Sequence, residues 1–201
     1  IWSANFGFAT TGCAINDIDV DNTGKLILGG WFKNRLVRNP NAPFSSWVYF
    51  NAPNQYTQGF MIILNVDGST ADSEYYGYST GGNFNSQTAS VDFDDAGNYY
   101  IGTSSYISTF GPVPEGYFKY SSAGFYQGRV DVPIGYSIEA KENGQLYLEG
   151  EIAINGTTDI DPSSNFFYPN YPNRTQLIMK WDWSISNNPQ LIWHKIVDEN
   201  F

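Results

Sequence analysis

One hairpin written three times constrains this chain more than any other feature of it. Ile15-Asn16-Asp17-Ile18-Asp19-Val20-Asp21-Asn22-Thr23-Gly24-Lys25-Leu26-Ile27-Leu28-Gly29-Gly30 reads as a strand, a tight turn ending in glycine, and a second strand. The pattern returns at Ser90-Val91-Asp92-Phe93-Asp94-Asp95-Ala96-Gly97-Asn98-Tyr99-Tyr100-Ile101-Gly102. It returns again at Ser137-Ile138-Glu139-Ala140-Lys141-Glu142-Asn143-Gly144-Gln145-Leu146-Tyr147-Leu148. Self-similarity of this kind marks a repeat architecture, in which no unit buries its own faces alone. Asp, Asn and Gly recur at the turn because they accept positive φ or bond their own backbone. The turns are unequally spaced along the chain, which places insertions between strands and leaves the hairpin itself intact.

Each hairpin is followed by two further strand-like runs. After the first come Gly59-Phe60-Met61-Ile62-Ile63-Leu64, closed by Asp67-Gly68, and then Glu74-Tyr75-Tyr76-Gly77-Tyr78. After the second come Gly116-Tyr117-Phe118-Lys119-Tyr120 and Phe125 to Val130; after the third, Gln176 to Trp181 and Leu191 to Val197. The expected architecture is all-β, with about three four-stranded antiparallel units at residues 8–80, 81–132 and 133–201. Residues 1–7 read as the closing strand of a preceding unit, since Ile1-Trp2 matches Ile192-Trp193. Radial stacking of four-stranded meanders is the β-propeller solution. Three blades do not close a ring, so the expectation is part of a larger propeller, or copies that associate to complete one. The aromatic content of 17% suits half-buried strands.

The stretch Asp21-x-x-Gly24-Lys25-Leu26-Ile27-Leu28-Gly29-Gly30-Trp31-Phe32 resembles the hairpin of bacterial β-propeller repeats, both the seven-bladed type and those with a Gly-Lys-Ile-Leu-Val-Gly-Gly core. The segments Gly156 to Pro162, Ile178 to Trp181 and Leu191 to Lys195 are similar to forms in secreted surface proteins of Bacteroidetes-like bacteria. The resemblance implies an extracellular or cell-surface scaffold for adhesion or binding, without catalysis. It implies protein or glycan ligands as partners. Similar repeats occur in phage tail proteins, so a structural part of a virion or other large assembly is the alternative. A carbohydrate-active enzyme is a third reading.

Charge narrows the partners. A formal net charge of −10 and ten Lys plus Arg argue against nucleic acid, which needs a basic footprint. No apolar run is long enough for a membrane-spanning helix. A single cysteine, Cys13, excludes an internal disulfide framework and reads as a small buried hydrophobe.

Candidate sites are few. Asp19 and Asp21 before Gly24, and Asp92 and Asp94 before Gly97, suggest a calcium loop, because hard cations take several oxygens from one tight turn. Neither copy carries the acidic residue that would complete it, and carboxylates are common at hairpin turns anyway. The Pro- and Asn-rich insertion from Lys33 to Gln58 carries Trp47, Tyr49, Phe50 and Tyr56, aromatics suited to a protein or carbohydrate contact if exposed. On that reading its deletion removes binding and spares the fold. His194 lacks a nucleophile or second histidine in sequence and reads as structural. Asp159 and Asp161 could serve glycoside hydrolysis, although Pro162 makes a turn an equal explanation. Asn155 and Asn173 head glycosylation-acceptor triplets.

Overall fold

The structure is a computed structural model. It describes residues 3, 6, 12–46, 48–51, 57–76, 85–106, 116–130, 135–152, 175–184 and 189–197. The strands, in chain order, are β1 (Cys13–Val20), β2 (Leu26–Phe32), β3 (Arg35–Val37), β4 (Tyr49–Asn51), β5 (Gln58–Leu64), β6 (Thr70–Tyr76) and β7 (Asn85–Phe93). They continue as β8 (Tyr99–Tyr106), β9 (Gly116–Tyr120), β10 (Tyr126–Val130), β11 (Gly135–Ala140), β12 (Gln145–Ile152), β13 (Thr175–Asp182) and β14 (Gln190–Val197). Two single 3-10 turns complete the described elements, and no helix is long and apolar enough to cross a membrane.

The chain is all-β, as its patterning indicates. Three four-stranded antiparallel sheets have the orders β1-β2-β5-β6, β7-β8-β9-β10 and β11-β12-β13-β14, and β3 pairs with β4 in a separate ribbon. Each large sheet opens with the hairpin read in the sequence. In the first, Asp21 N–H donates to the Lys25 carbonyl (2.9 Å) and Gly24 N–H to the Asp21 carbonyl (3.0 Å). Gly24 has φ +85°, the left-handed conformation that a three-residue-type hairpin loop demands and that a Cβ disfavours. The first strand of every sheet also carries a bulge at the same repeat position, between Ile15 and Asp17, Thr88 and Ser90, and Gly135 and Ser137.

Three apolar layers bury the sheets. Ile27, Met61 and Ile63 of the first sheet meet Val91, Phe93, Tyr99 and Ile101 of the second. Tyr100, Tyr117 and Val130 of the second meet Ile138, Leu148, Met179 and Trp181 of the third. The opposite face of the first sheet, with Leu28, Phe32, Phe60 and Ile62, is covered from within its own unit. Leu36 and Phe50 of the β3-β4 ribbon lie on it.

That cover corrects one expectation. Phe50 is a core residue at 5% exposure, its ring 6.1 Å from Phe32, and so is no surface contact. Three residues of strand are too few to show alternation, and the surrounding Pro and Asn read as loop. The ribbon is therefore part of the fold, and deleting Lys33 to Gln58 would strip a core face. Cys13 corrects another: it is exposed, at the start of the edge strand β1. Of residues 1–7 only Ser3 and Phe6 are described, neither of them in a strand.

Candidate functional site

The first strands β1, β7 and β11 alternate acidic or small residues with apolar ones, and the period of two sends these sets to opposite faces. In β7 and β11 the apolar set packs back on the preceding sheet, while the carboxylates of β1 and β7 point to the following one. Asp17 Oδ2 accepts from Val91 N–H (3.0 Å) and Asp19 Oδ2 from Phe93 N–H (2.9 Å). One sheet further on, Asp92 Oδ2 accepts from Ala140 N–H (2.5 Å). Asp19 aligns with Asp92, and Phe93 with Ala140, so the same tie joins successive sheets. These carboxyl-to-amide hydrogen bonds fix how neighbouring sheets sit.

Burial, and then the adjacent Asp19 carboxylate that bonds to it, push the Asp92 carboxyl up to about 7, against the lowering effect of the Ala140 amide. A carboxyl raised in the folded state holds its proton there more tightly than in the unfolded chain. Stability is therefore greatest below about pH 4, declines as pH rises through 7, and stays low above it. With part of the group in solvent, we expect roughly 1–2 kcal/mol between the two plateaus. Asp92→Asn keeps an acceptor for Ala140 and should flatten this dependence, read as thermal midpoints from pH 4 to 8. An unchanged slope in the variant would remove Asp92 as its cause.

The turn carboxylates serve their own loops. Asp21 Oδ1 accepts from Thr23 N–H, Thr23 Oγ1 and Lys25 N–H, at 2.7 to 2.9 Å. Burial, the largest single influence, raises its pKa, but those donors and the Lys25 charge together outweigh it and hold the group below the usual carboxylate range. Asp94 accepts from Ala96 and Asn98 N–H, the Asn98 side-chain amide and Tyr100 Oη. Asp19, Asp21, Asp92 and Asp94 thus each accept hydrogen bonds from N–H or O–H donors of the fold, and Asp92 also lies against the Asp19 carboxyl. Among the described residues no three His, Cys, Asp or Glu side chains gather as a metal group.

The turns do build a cleft. Asp21, Asn22 and Thr23 from the first sheet, Asp95 to Gly97 from the second, and Ser122 to Gly124 from the β9-β10 turn surround about 460 Å³. Asn22 Nδ2 reaches the Asp95 carbonyl across it (3.4 Å). Its floor is Asp72 and Tyr99, whose hydroxyl donates to Asp72 Oδ2 (2.8 Å). Burial, and then Asp72, raise the Tyr99 phenol far above its ordinary value, so it stays a hydrogen-bond donor at any ordinary pH. Tyr99 in turn stacks on Tyr120 at 5.0 Å. Asp21, Asp72 and Asp95 outnumber Lys25 in the lining, so the cleft favours neutral hydroxyl-rich or cationic groups. Its volume lies in the range of small-ligand sites.

The structure distributes the other sequence candidates widely. Tyr49 is half-buried, with the Arg35 guanidinium 4.7 Å over its ring. Trp47 and Tyr56 fall outside the described residues, as do Asn155, Asp159, Asp161 and Asn173. His194 lies on β14 opposite Met179. None of the described candidates except Asp21 lines the cleft. Asp72, Tyr99, Asn22 and Asp95 were missed, although the recurring Asp-Gly turns signal that one end of every sheet is polar. No protein-family model matches the chain, and no curated protein matches it in sequence.

Proposed function

We propose that the three sheets are blades of a β-propeller, and that the chain is a non-catalytic extracellular or cell-surface scaffold binding a protein or glycan in the turn-lined cleft. The propeller reading draws on the repeated carboxylate-to-amide tie, which sets successive sheets side by side through their first strands. The binding reading is carried by one observation: turns from two sheets converge on a polar cleft whose floor is the Tyr99–Asp72 pair. Rigid sheets hold these turns, the usual placement of binding residues. A cleft with hydroxyl, amide and carboxylate groups and only two rings suits sugar hydroxyls or a basic side chain.

The test is titration of the chain with a panel of neutral, amino and acidic glycans and of basic and acidic peptides. Neutral or cationic ligands should bind better than acidic ones. Asn22→Ala and Asp95→Ala should each weaken the best ligand about tenfold, the cost of one lost hydrogen bond to a charged or well-placed group. Binding indifferent to both substitutions would place the site elsewhere, and turnover of a glycan would replace the scaffold reading with an enzymatic one.

A further inference from the structure

Both joints between sheets use a first-strand carboxylate, Asp19 in the first and Asp92 in the second, and the surface of the second joint recurs on an outer face of the molecule. In the second sheet one cross-strand row runs Asp92–Tyr100–Lys119. The third sheet has the equivalent row Glu139–Tyr147–Lys180. The geometry repeats as well as the residue types: Lys119 Nζ lies 5.5 Å from the Tyr100 ring centre, and Lys180 Nζ 5.4 Å from that of Tyr147. In the second sheet this row is an occupied docking surface. Asp92 takes the Ala140 amide, and Lys119 Nζ, 4% exposed as a residue, donates to the Trp183 carbonyl (2.7 Å). In the third sheet Glu139 is exposed and Tyr147 and Lys180 are half-buried, on a face where Trp193 is 36% exposed.

The other half of a joint lies at the opposite end of the molecule. In both existing joints the apolar residues of the later sheet's first strand are buried: Val91 2% and Phe93 8%, Ile138 7% and Ala140 8%. The register-equivalent residues of β1, Ile18 and Val20, are 55% and 54% exposed. The ribbon that covers the first sheet lies over its β2 and β5 residues and leaves β1 uncovered.

We infer that the exposed face of the third sheet is a head-to-tail interface for a second copy of this chain, which seats its β1 strand there. Glu139 leaves its surface pairing with Lys141 and accepts from the Val20 N–H of the incoming copy, as Asp19 does from Phe93 and Asp92 from Ala140. Lys180 reaches a backbone carbonyl of that copy, as Lys119 reaches Trp183. Ile18 and Val20 are removed from water against Tyr147 and the β11 backbone. The two surfaces differ, so the contact is heterologous, and repeated copies form a ring or an open chain according to the rotation at each step. This inference stands independently of any ligand in the cleft.

The experiment uses two end-blocked variants of the whole chain. Glu139→Lys with Lys180→Glu disables the face, and Ile18→Asp with Val20→Asp disables the strand. In sedimentation velocity the wild-type chain should show mass above the monomer, rising with concentration. Each variant alone should associate at least about thirtyfold more weakly, the scale expected for breaking a buried charged hydrogen bond at an interface. An equimolar mixture of the two should restore a one-to-one complex and nothing larger, because one intact end of each kind remains. A wild-type monomer at every soluble concentration overturns the inference, as does either variant associating like wild type or a mixture that stays monomeric. Circular dichroism checks folding; the milder pair Glu139→Gln and Val20→Ser gives the same readout if a double substitution unfolds the chain.

Discussion

Phe50→Ala lowers the stability of this chain by about 3–5 kcal/mol, the range for deleting a buried aromatic ring, and moves its urea midpoint down accordingly. Phe50 fills the space between the ribbon and the first sheet, against Phe32 at 6.1 Å, and Phe32 packs edge-on to Phe60 at 6.3 Å. The Arg38 guanidinium covers the Phe50 ring from outside at 4.9 Å. Truncation leaves a cavity bounded by pleated backbone on one side, where collapse is restricted, and it loosens the cover over Leu28 and Ile62. Tyr49→Ala is the control. Its ring is half-buried with Arg35 over it, and loss of such a partly exposed contact costs about 1 kcal/mol or less. Equal midpoints for the two variants would mean that the ribbon is a surface loop after all.

Gly30→Ala is expected to be comparably damaging, by about 3 kcal/mol or more, because the obstacle is main chain. A Cβ at Gly30 would stand 2.0 Å from the Ala14 carbonyl oxygen and 3.0 Å from Ile15 Cα. Neither atom can swing aside as a long side chain would. Both belong to β1 beside its bulge, and Ile15 is the register partner of Gly30. Relief requires β1 to move, and β1 carries the Asp17 and Asp19 acceptors that hold the second sheet. The substitution should therefore lower the thermal midpoint and speed amide exchange at Val91 and Phe93 together. A variant with wild-type melting and slow exchange at both amides would show that β1 can shift at little cost.

The extent to which the fold was legible follows from how local its signals are. The Asp21–Gly24 and Asp94–Gly97 turns, and the alternation on either side, lie within one short window, and all three four-stranded sheets follow from them. The ribbon was not legible as core. Leu36 and Phe50 become partners only after a Pro-rich excursion, and each strand is three residues long. The acidic residues were legible as a group and ambiguous in role. A carboxylate near a turn fits a cation, its own loop amides or a neighbouring strand, and only coordinates tell Asp21, which serves its own loop, from Asp19, which serves Phe93. The cleft was least legible, since Asn22 and Asp95 are distant in sequence and meet only when sheets pack.

The ties between sheets have a direction. In each carboxylate-to-amide tie, from Asp17, Asp19 and Asp92, the acceptor belongs to the part of the chain synthesised earlier and the amide to the part synthesised later. As the chain leaves the ribosome, each emerging strand therefore meets a carboxylate already held in place, so assembly can proceed from the amino end without waiting for distant segments. Reversing the order of the units in an engineered gene would keep every sheet and every hairpin, yet it would remove that template from the nascent chain.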